Sequence, residues 1–197
     1  MTISSEGITP FETGAGPGTT PNYSRSRTID RRLVHKSYDQ NVLISHIETV
    51  TGPAEPEHTA DSPSDRIDHF HGILCVHKDH PFFFEHERSH IPGLYLIEAT
   101  RQMVIAIAHL FYKVPFDIEF VMTKCSADFH NVANLDDPLL AEERMSGHVY
   151  RKGRLTSMHS DILIRQRNLE VARLTGTIIL LKKHQLQYLE QRGAPNG

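Results

Sequence analysis

The stretch KDHPFFFEHERSHIPGLYLIEATRQMVIAIAHLFYK, residues 78–113, decides the fold of this chain. A histidine-rich loop runs through Pro92 and Gly93 into the longest apolar segment of the sequence. From Leu94 to Tyr112 nearly every position is apolar, so a helix formed here has no face suited to solvent. The segment therefore predicts a core helix that the rest of the chain must wrap.

Three polar residues interrupt this apolar helix. Glu98, Arg101 and Gln102 stand at positions i, i+3 and i+4, which places their side chains on one stripe. Burying a charge without a partner costs several kcal/mol, so these groups either satisfy one another or face a pocket. The pattern leaves two interpretations, a structural salt bridge that holds the helix in register or part of a functional site.

The sequence on either side of the helix has the character of strands. β-branched and alternating apolar residues predict strands in 33–50, 67–77, 116–129, 139–153, 154–166 and 169–183. Gly72 is expected to mark a bulge or a close approach of two elements. One long helix among five to six strands predicts an α+β domain in which an antiparallel sheet wraps the central helix.

Composition sets the domain limits. Residues 1–30 are rich in Gly, Pro, Ser and Thr and predict a flexible N-terminal arm. The 197 residues with 39% hydrophobic content suffice for one substantial core, which we assign to residues 31–183. Residues 184–197 are predicted to be a tail that begins as a short helix.

The helix-entry segment has a recognisable motif. HPFFFEHERSHIPGLYLIEATRQ (residues 80–102) resembles the A-factor biosynthesis (AfsA-type) hotdog proteins, most closely their second repeat, HPxFFDHPxDHVPGMxLLEAxRQ. More distantly it resembles the segment FFxGHFPGxPxxPGVLxxEAxAQ of β-hydroxyacyl-carrier-protein dehydratases. Likeness in residues 31–44 and 114–139 extends the resemblance to roughly 31–182. It implies the hotdog fold, and because this chain has one repeat where AfsA-type proteins have two, it implies a homodimer.

The resemblance also implies a function. Hotdog pockets accept acyl chains as pantetheine thioesters, delivered by an acyl carrier protein or coenzyme A, so the thioester is a substrate and no resident cofactor is expected. The AfsA-type family implies transfer of a β-ketoacyl group to a phosphorylated three-carbon acceptor such as dihydroxyacetone phosphate, en route to butyrolactones or butenolides. Dehydration or hydrolysis of an acyl thioester is the rival within enzymes. A non-catalytic module that binds an acyl or lactone ligand is the rival of another class.

Seven residues are implied for the site. The predicted catalytic residues are Glu98, Arg101, His86 and His90, and the predicted substrate-binding residues are Gly93, Gln102 and Arg88. Glu98 or His90 would take the proton of the acceptor hydroxyl. Amide N–H groups near Gly93 would polarise the thioester carbonyl at the helix N-terminus. Arg101 would hold Glu98 ionised or bind phosphate, and Gln102 would orient its neighbours.

Residues 86–90 also spell HExxH, the zinc-binding pattern of metalloproteases. Leu96 stands where the longer form of that pattern has a third histidine. Pro92 disfavours helix at Ile91, which breaks the continuous helix that the two histidines need. We therefore predict no metal.

Charge and cysteine content exclude other classes. A net charge of −3 argues against a partner made of nucleic acid or an anionic membrane. Glu98 and Arg101 favour a core helix over a membrane span. The two cysteines, Cys75 and Cys125, lie in apolar segments that resemble strands. The N-terminus shows no signal-peptide pattern, so a reducing cytoplasm is expected.

Overall fold

The computed structural model describes residues 26–51, 63–64 and 66–193 of the chain. These residues form two α-helices, α1 (Gly93–Phe111) and α2 (Lys183–Gly193). They also form eight strands: β1 (Ser26–Thr28), β2 (Ile44–Thr51), β3 (Pro63–Ser64), β4 (Asp68–Leu74), β5 (Ile118–Phe129), β6 (Leu139–Arg151), β7 (Arg154–Gln166) and β8 (Leu169–Lys182). Two 3-10 turns, Arg31–Val34 and Asp39–Asn41, precede β2.

All eight strands join one antiparallel sheet. Its order is β1-β2-β4-β6-β7-β8-β5, with β3 paired to β6. Buried residues of α1 and of the sheet form one core. Six strands, β2 and β4 to β8, are long, and β1 and β3 are short. The predicted α+β hotdog architecture, a central helix wrapped by an antiparallel sheet of five to six long strands, is confirmed.

The alternation of side chains explains how the sheet faces the helix. Every second residue in the middle of β7 is buried, namely Met158, Ser160, Ile162 and Ile164. Successive side chains of a strand point to opposite faces, so this set faces the core. The turn between β6 and β7 lies at Lys152 and Gly153, where φ is 51° and 70°. Two left-handed residues are typical of the tight turn that joins twisted strands, and the joint lies where the sequence predicts it.

The start of the domain differs from the prediction in two ways. The strand predicted for 33–50 begins only at Ile44, because Asp30 caps a 3-10 turn through the N–H of Arg32 and His35 then adopts a left-handed φ of 55°. The boundary predicted at residue 31 is also too late. Ser26–Thr28 already pair with β2, and Ile29 is in the core. Of the flexible arm predicted for residues 1–30, residues 1–25 lie outside the described residues.

α1 is largely buried in the core. By length and composition this helix of 19 residues could also cross a membrane, but 67% of that window is buried inside the protein. Gly72 on β4 is close to it, since a Cβ there would lie 2.9 Å from the Met103 sulfur. The close approach predicted at Gly72 is therefore confirmed.

Candidate active site

The polar stripe of α1 forms an ion cluster that consists of Lys36, Glu98 and Arg101. Arg101 donates from Nε to Glu98 Oε2 at 2.7 Å and from Nη2 to Oε1 at 2.8 Å. Lys36, which follows the first 3-10 turn, lies with Nζ 2.7 Å from Glu98 Oε1. The side chains are 22% exposed for Glu98, 24% for Lys36 and 35% for Arg101. A purely structural buried pair would be sealed from solvent, whereas this cluster is open to it.

Gln102 fixes the position of the cluster. Its side-chain oxygen accepts from the Leu43 N–H at 2.8 Å, and its amide nitrogen donates to Asn41 O at 2.8 Å and to Glu98 Oε1 at 3.0 Å. The residue is fully buried, and both of its amide hydrogens are used. The geometry gives Gln102 the role of orienting Glu98 and tying α1 to the chain that enters β2.

These partners determine the charge of Glu98. Burial by itself would raise the pKa of the carboxyl, but hydrogen bonds from Arg101, Lys36 and Gln102 outweigh burial and lower the pKa to about 2. Glu98 is therefore ionised throughout the neutral range. As long as all three donors stay in place, it is also a weak base.

The cluster stands between two pockets that share Ile97. The first, the apolar pocket, lies between α1 and strands β5, β7 and β8, encloses about 590 Å³ of empty space including open solvent, and contains Arg101. Most of its lining is apolar, including Ile97, Val104, Ile105, Phe120, Leu174 and Ile178. The second, the wide pocket, encloses about 820 Å³ counted in the same way and contains Glu98. It is also lined by Lys36, Asn41, Leu43, His80, Phe82, Phe83 and Leu94.

His80 is the histidine of the wide pocket. It is 8% exposed, and its ring lies 4.7 Å from the ring of Phe83. Its Nδ1 accepts the N–H of Phe82 at 3.2 Å, which assigns the proton of a neutral ring to Nε2. Burial lowers the pKa of His80, and the positive field of His77 and Lys36 adds to this effect. His80 is thus a neutral hydrogen-bond donor in the pocket that Glu98 also lines.

The predicted loop residues lie elsewhere. His86, Arg88 and His90 are exposed, and no hydrogen bond or ion pair of the described residues joins them to Glu98. Residues 86–90 are not helical, so the two histidines of HExxH lack the spacing of one helical turn. Among the described residues no three potential metal ligands lie together. The absence of a metal stays a prediction that elemental analysis can test.

Gly93 begins α1 for a packing reason. A Cβ at this position would lie 2.9 Å from Cζ of the Phe129 ring, closer than side chains tolerate. Pro92 occupies the N-cap and provides no side-chain hydrogen bond to the helix start. The role predicted for the amides near Gly93 in polarising a carbonyl stays a prediction.

Lys36 and His80 are the site residues that sequence reasoning missed. Both lie in segments that carry the resemblance, 31–44 and 80–102. The signal for Lys36 was the need of Glu98 for a further partner, and the signal for His80 was its place at the head of the motif HPFFF. Neither residue belongs to α1, so helical spacing does not place it near Glu98. Only the tertiary fold brings the two residues to the wide pocket.

Comparison with known proteins agrees with this architecture. No curated protein matches the sequence. The putative thioesterase yhdA from Lactococcus lactis has a similar structure, with 12% identity, a TM-score of 0.51, and coverage of 74% of this chain and 99% of that chain. A hot-dog-like protein from Thermanaerovibrio acidaminovorans matches at 11% identity and a TM-score of 0.48 over 65% of this chain and 92% of that one. A Streptococcus mutans protein bound to acetyl CoA matches at 19% identity and a TM-score of 0.43 over 58% and 82%.

At such low sequence identities, structural similarity shows the fold alone. Membership of a protein family must therefore be shown by the sequence. Residues 19–182 match one family, described as the A-factor biosynthesis hotdog domain. That range includes the core helix, the ion cluster and all six long strands. The protein therefore belongs to the A-factor biosynthesis (AfsA) hotdog family.

Proposed function

We propose that this protein is an acyl-thioester-processing enzyme that transfers a β-ketoacyl group to the hydroxyl of a phosphorylated three-carbon acceptor. Such a transfer would form an ester on the way to a butyrolactone or butenolide. The observation that carries this proposal is the place of the ion cluster. Glu98 and Arg101 separate a mainly apolar pocket from a wide pocket that contains a lysine and a neutral histidine.

The two pockets suit the two halves of such a reaction. An acyl chain is apolar and fits the space between α1 and the sheet, where burial of its methylenes contributes about 0.8 kcal/mol each. A phosphorylated acceptor needs cations. Lys36 lines the wide pocket and Arg101 borders it through Glu98, so both can pair with a phosphate. The thioester would lie where the pockets meet, beside Ile97 and the carboxylate of Glu98.

Glu98 acts as the base in this proposal. The acceptor hydroxyl oxygen attacks the thioester carbon, Glu98 takes its proton, the C–S bond breaks, and the departing thiolate recovers the proton. The acceptor itself would raise the basicity of Glu98. Its phosphate attracts Lys36, and a carboxylate that loses one of its donors binds a proton more readily.

Two groups would stabilise the negative charge on the carbonyl oxygen. His80 offers its Nε2–H in the wide pocket. The N-terminus of α1 begins at Gly93, four residues before Ile97, where the helix dipole favours negative charge. No serine or cysteine nucleophile is required, because the acyl group moves directly from sulfur to oxygen.

We also propose a homodimer. Among the described strands β5 pairs with β8 alone, which leaves the other edge of this 12-residue strand open. Met122 and Cys125 on β5 are exposed and line the apolar pocket. Pairing of two β5 edges would cover this strand and bring a second chain to the pocket. Analytical ultracentrifugation at micromolar concentration should give twice the chain mass, and a monomer would remove this proposal.

The proposal also includes the acyl donor and the cellular compartment. The acyl donor would be an acyl carrier protein or acyl-CoA, with no resident cofactor. Cys75 and Cys125 are free thiols, which suits the reducing cytoplasm.

A turnover assay tests the function. The protein is mixed with β-ketoacyl-CoA or a β-ketoacyl-loaded carrier protein, with and without dihydroxyacetone phosphate, while thiol release and ester formation are followed by absorbance and mass spectrometry. We expect thiol release that depends on the acceptor and equals the ester formed. Thiol release without an acceptor would mean hydrolysis, and loss of water from a β-hydroxyacyl donor would mean dehydration. Saturable binding of the donor without any turnover would favour the alternative, a non-catalytic module that binds an acyl ligand.

A further inference from the structure

The apolar pocket has a polar group in its floor. Ser160 is on the face of β7 that looks toward α1, it lines this pocket, and it is 4% exposed. Its hydroxyl lies 3.0 Å from Oε2 of Glu143, a residue of the neighbouring strand β6. We call Ser160 and Glu143 the floor pair. Neither residue takes part in the ion cluster.

Glu143 is a carboxyl in apolar surroundings. It is 1% exposed, and the ion pairs formed by the described residues do not include it. Its Oε1 accepts the N–H of Asp161 at 3.2 Å. Burial raises the pKa of Glu143 to about 8, despite the hydrogen bonds from Ser160 and Asp161. At neutral pH the group therefore carries a proton and can donate it in a hydrogen bond.

That proton changes what Ser160 can do. When Glu143 is protonated, its O–H can donate to the hydroxyl oxygen of Ser160 across the same 3.0 Å contact. The hydrogen of the Ser160 hydroxyl is then free to turn toward the pocket. A protonated Glu143 thus allows Ser160 to act as a donor to a ligand.

The floor of the pocket is open at this point. Gly176 on β8 lies directly beside Ser160 in the sheet and beside Cys125 on β5, and it has no side chain to cover the hydroxyl. Thr100, another hydroxyl of the lining, donates to the carbonyl of Ile97 on its own helix at 2.8 Å. Ser160 is therefore a hydroxyl of the pocket lining whose neighbour on β8 carries no side chain.

We propose that Ser160, oriented by Glu143, is the specificity-determining donor of the apolar pocket, and that it selects acyl groups with a hydrogen-bond-accepting oxygen on the chain over saturated chains of equal length. This inference rests on the proposed function, since it places the acyl chain in that pocket. A keto oxygen of a β-ketoacyl group is an acceptor of this kind. A saturated chain would leave the hydroxyl and the carboxyl facing methylenes, which is unfavourable for buried polar groups.

Binding of stable ligand analogues tests the inference without turnover. Octanoic and β-ketooctanoic acid form stable amides with the amine analogue of pantetheine, in which NH₂ replaces the thiol. These amides cannot transfer their acyl group, and their dissociation constants are measured by isothermal titration calorimetry. We expect the wild-type protein to prefer the keto amide by about 10-fold, the effect of one satisfied hydrogen bond in a closed site. Ser160→Ala should reduce this preference to less than about 2-fold. Glu143→Gln should keep it, because the amide N–H can donate to Ser160 as the carboxyl does.

The outcomes separate the two proposals. Equal affinity of the wild-type protein for both amides, or an unchanged preference in Ser160→Ala, would overturn the role of the floor pair while leaving the acyl pocket in place. Binding of neither amide would remove the acyl pocket and the inference with it. Ser126→Ala is the matched control, since Ser126 is exposed on β5 outside the pocket lining and should keep the wild-type preference.

Discussion

Glu98 on α1 and Glu143 on the sheet are both largely shielded from solvent, yet the first is ionised and the second is neutral at pH 7. Glu98, on the helix, is surrounded by a lysine, an arginine and an amide, and its pKa is lowered to about 2. Glu143, on the sheet, has a serine hydroxyl and a backbone N–H as partners, and burial raises its pKa to about 8. This difference in pKa shows that hydrogen-bond partners and access to solvent, rather than residue type, decide the charge of a carboxyl group.

In the proposed function the two glutamates have different roles. An ionised carboxylate can accept a proton once a cationic partner leaves it, and the cations can bind phosphate. A neutral carboxyl in an apolar floor can orient a hydroxyl toward a chain oxygen.

The largest expected effect is that of Glu143→Gln on the pH dependence of stability. The pKa of Glu143 is raised from a model-compound value of 4.5 to about 8, so its contribution to stability is complete below pH 4.5 and is lost as pH rises through about 8. The full loss is about 4–5 kcal/mol by linkage. Glutamine does not ionise, so the variant should match wild type near pH 5 and melt roughly 10 °C higher at pH 9.

Glu142→Gln is the matched control for this measurement. Glu142 is the next residue on β6, half-buried on the outward face, and lies 3.2 Å from Arg165. When melting is measured by calorimetry between pH 5 and 9, the difference in melting temperature between Glu142→Gln and wild type should not rise with pH in this way. A flat difference for Glu143→Gln as well would show that Glu143 is ionised in the folded protein.

Glu98→Gln should have the second largest effect, on activity. Loss of the base should lower acyl transfer by roughly 100-fold. Because the cluster is open to solvent, Lys36 and Arg101 can hydrate their charges, and the melting temperature should stay within a few degrees of wild type. Steady-state kinetics and melting curves on one preparation measure both effects.

The control for Glu98→Gln is Glu87→Gln, which changes the exposed glutamate of HExxH and should leave turnover unchanged. Full turnover in a folded Glu98→Gln protein would contradict the base assignment. The role would then pass to a histidine, either His80 in the wide pocket or His86 or His90 in the loop.

The sequence predicts the surroundings of Glu98 on the helix better than those of Glu143 on the sheet. Glu98 and Arg101 are three residues apart on a helix that its apolar content identifies, so their contact follows from local geometry. Lys36 precedes Glu98 by 62 positions, and local periodicity does not relate the two. His86 and His90 follow from their place in the motif before the helix, whereas the presence of His80 in the wide pocket depends on the tertiary fold.

Glu143 could have been found from its strand. In LLAEERM the odd positions are Leu139, Ala141, Glu143 and Met145, an apolar set with one exception, while Glu142 is in the even set with Leu140 and Arg144. Strand periodicity therefore predicts that Glu143 faces the core. Its partner Ser160 belongs to another strand, and register between strands depends on turns and packing that composition does not reveal.

Lys36→Met should have a smaller effect, on acceptor affinity and on the pH profile. Removing one of the donors that hold the pKa of Glu98 low should raise that pKa, so activity should be lost at a higher pH as the solution is acidified. The KM for a phosphorylated acceptor should rise about 10-fold, the effect of one phosphate contact. Lys78→Met is the control, since Lys78 is an exposed lysine paired with Asp136. An unchanged acid limb would show that Lys36 does not act on Glu98 in the working enzyme.

Arg101→Lys should have the smallest effect and sharpens the account of the helix side. The substitution keeps the positive charge but replaces two parallel hydrogen bonds to Glu98, at 2.7 and 2.8 Å, with one at most. Glu98 would stay ionised through Lys36 and Gln102, so the melting temperature should change by less than about 2 °C, the size expected for a partly exposed pair that keeps its charges. The orientation of Glu98 would loosen, and the KM for the acceptor should rise about 3-fold to 5-fold. Arg165→Lys is a close control because Arg165 is equally exposed, at 35%, pairs with Glu142, and faces away from both pockets. If both variants changed KM alike, or neither did, the planar fork of Arg101 would have no part in positioning Glu98, and the lysine alone would account for its charge.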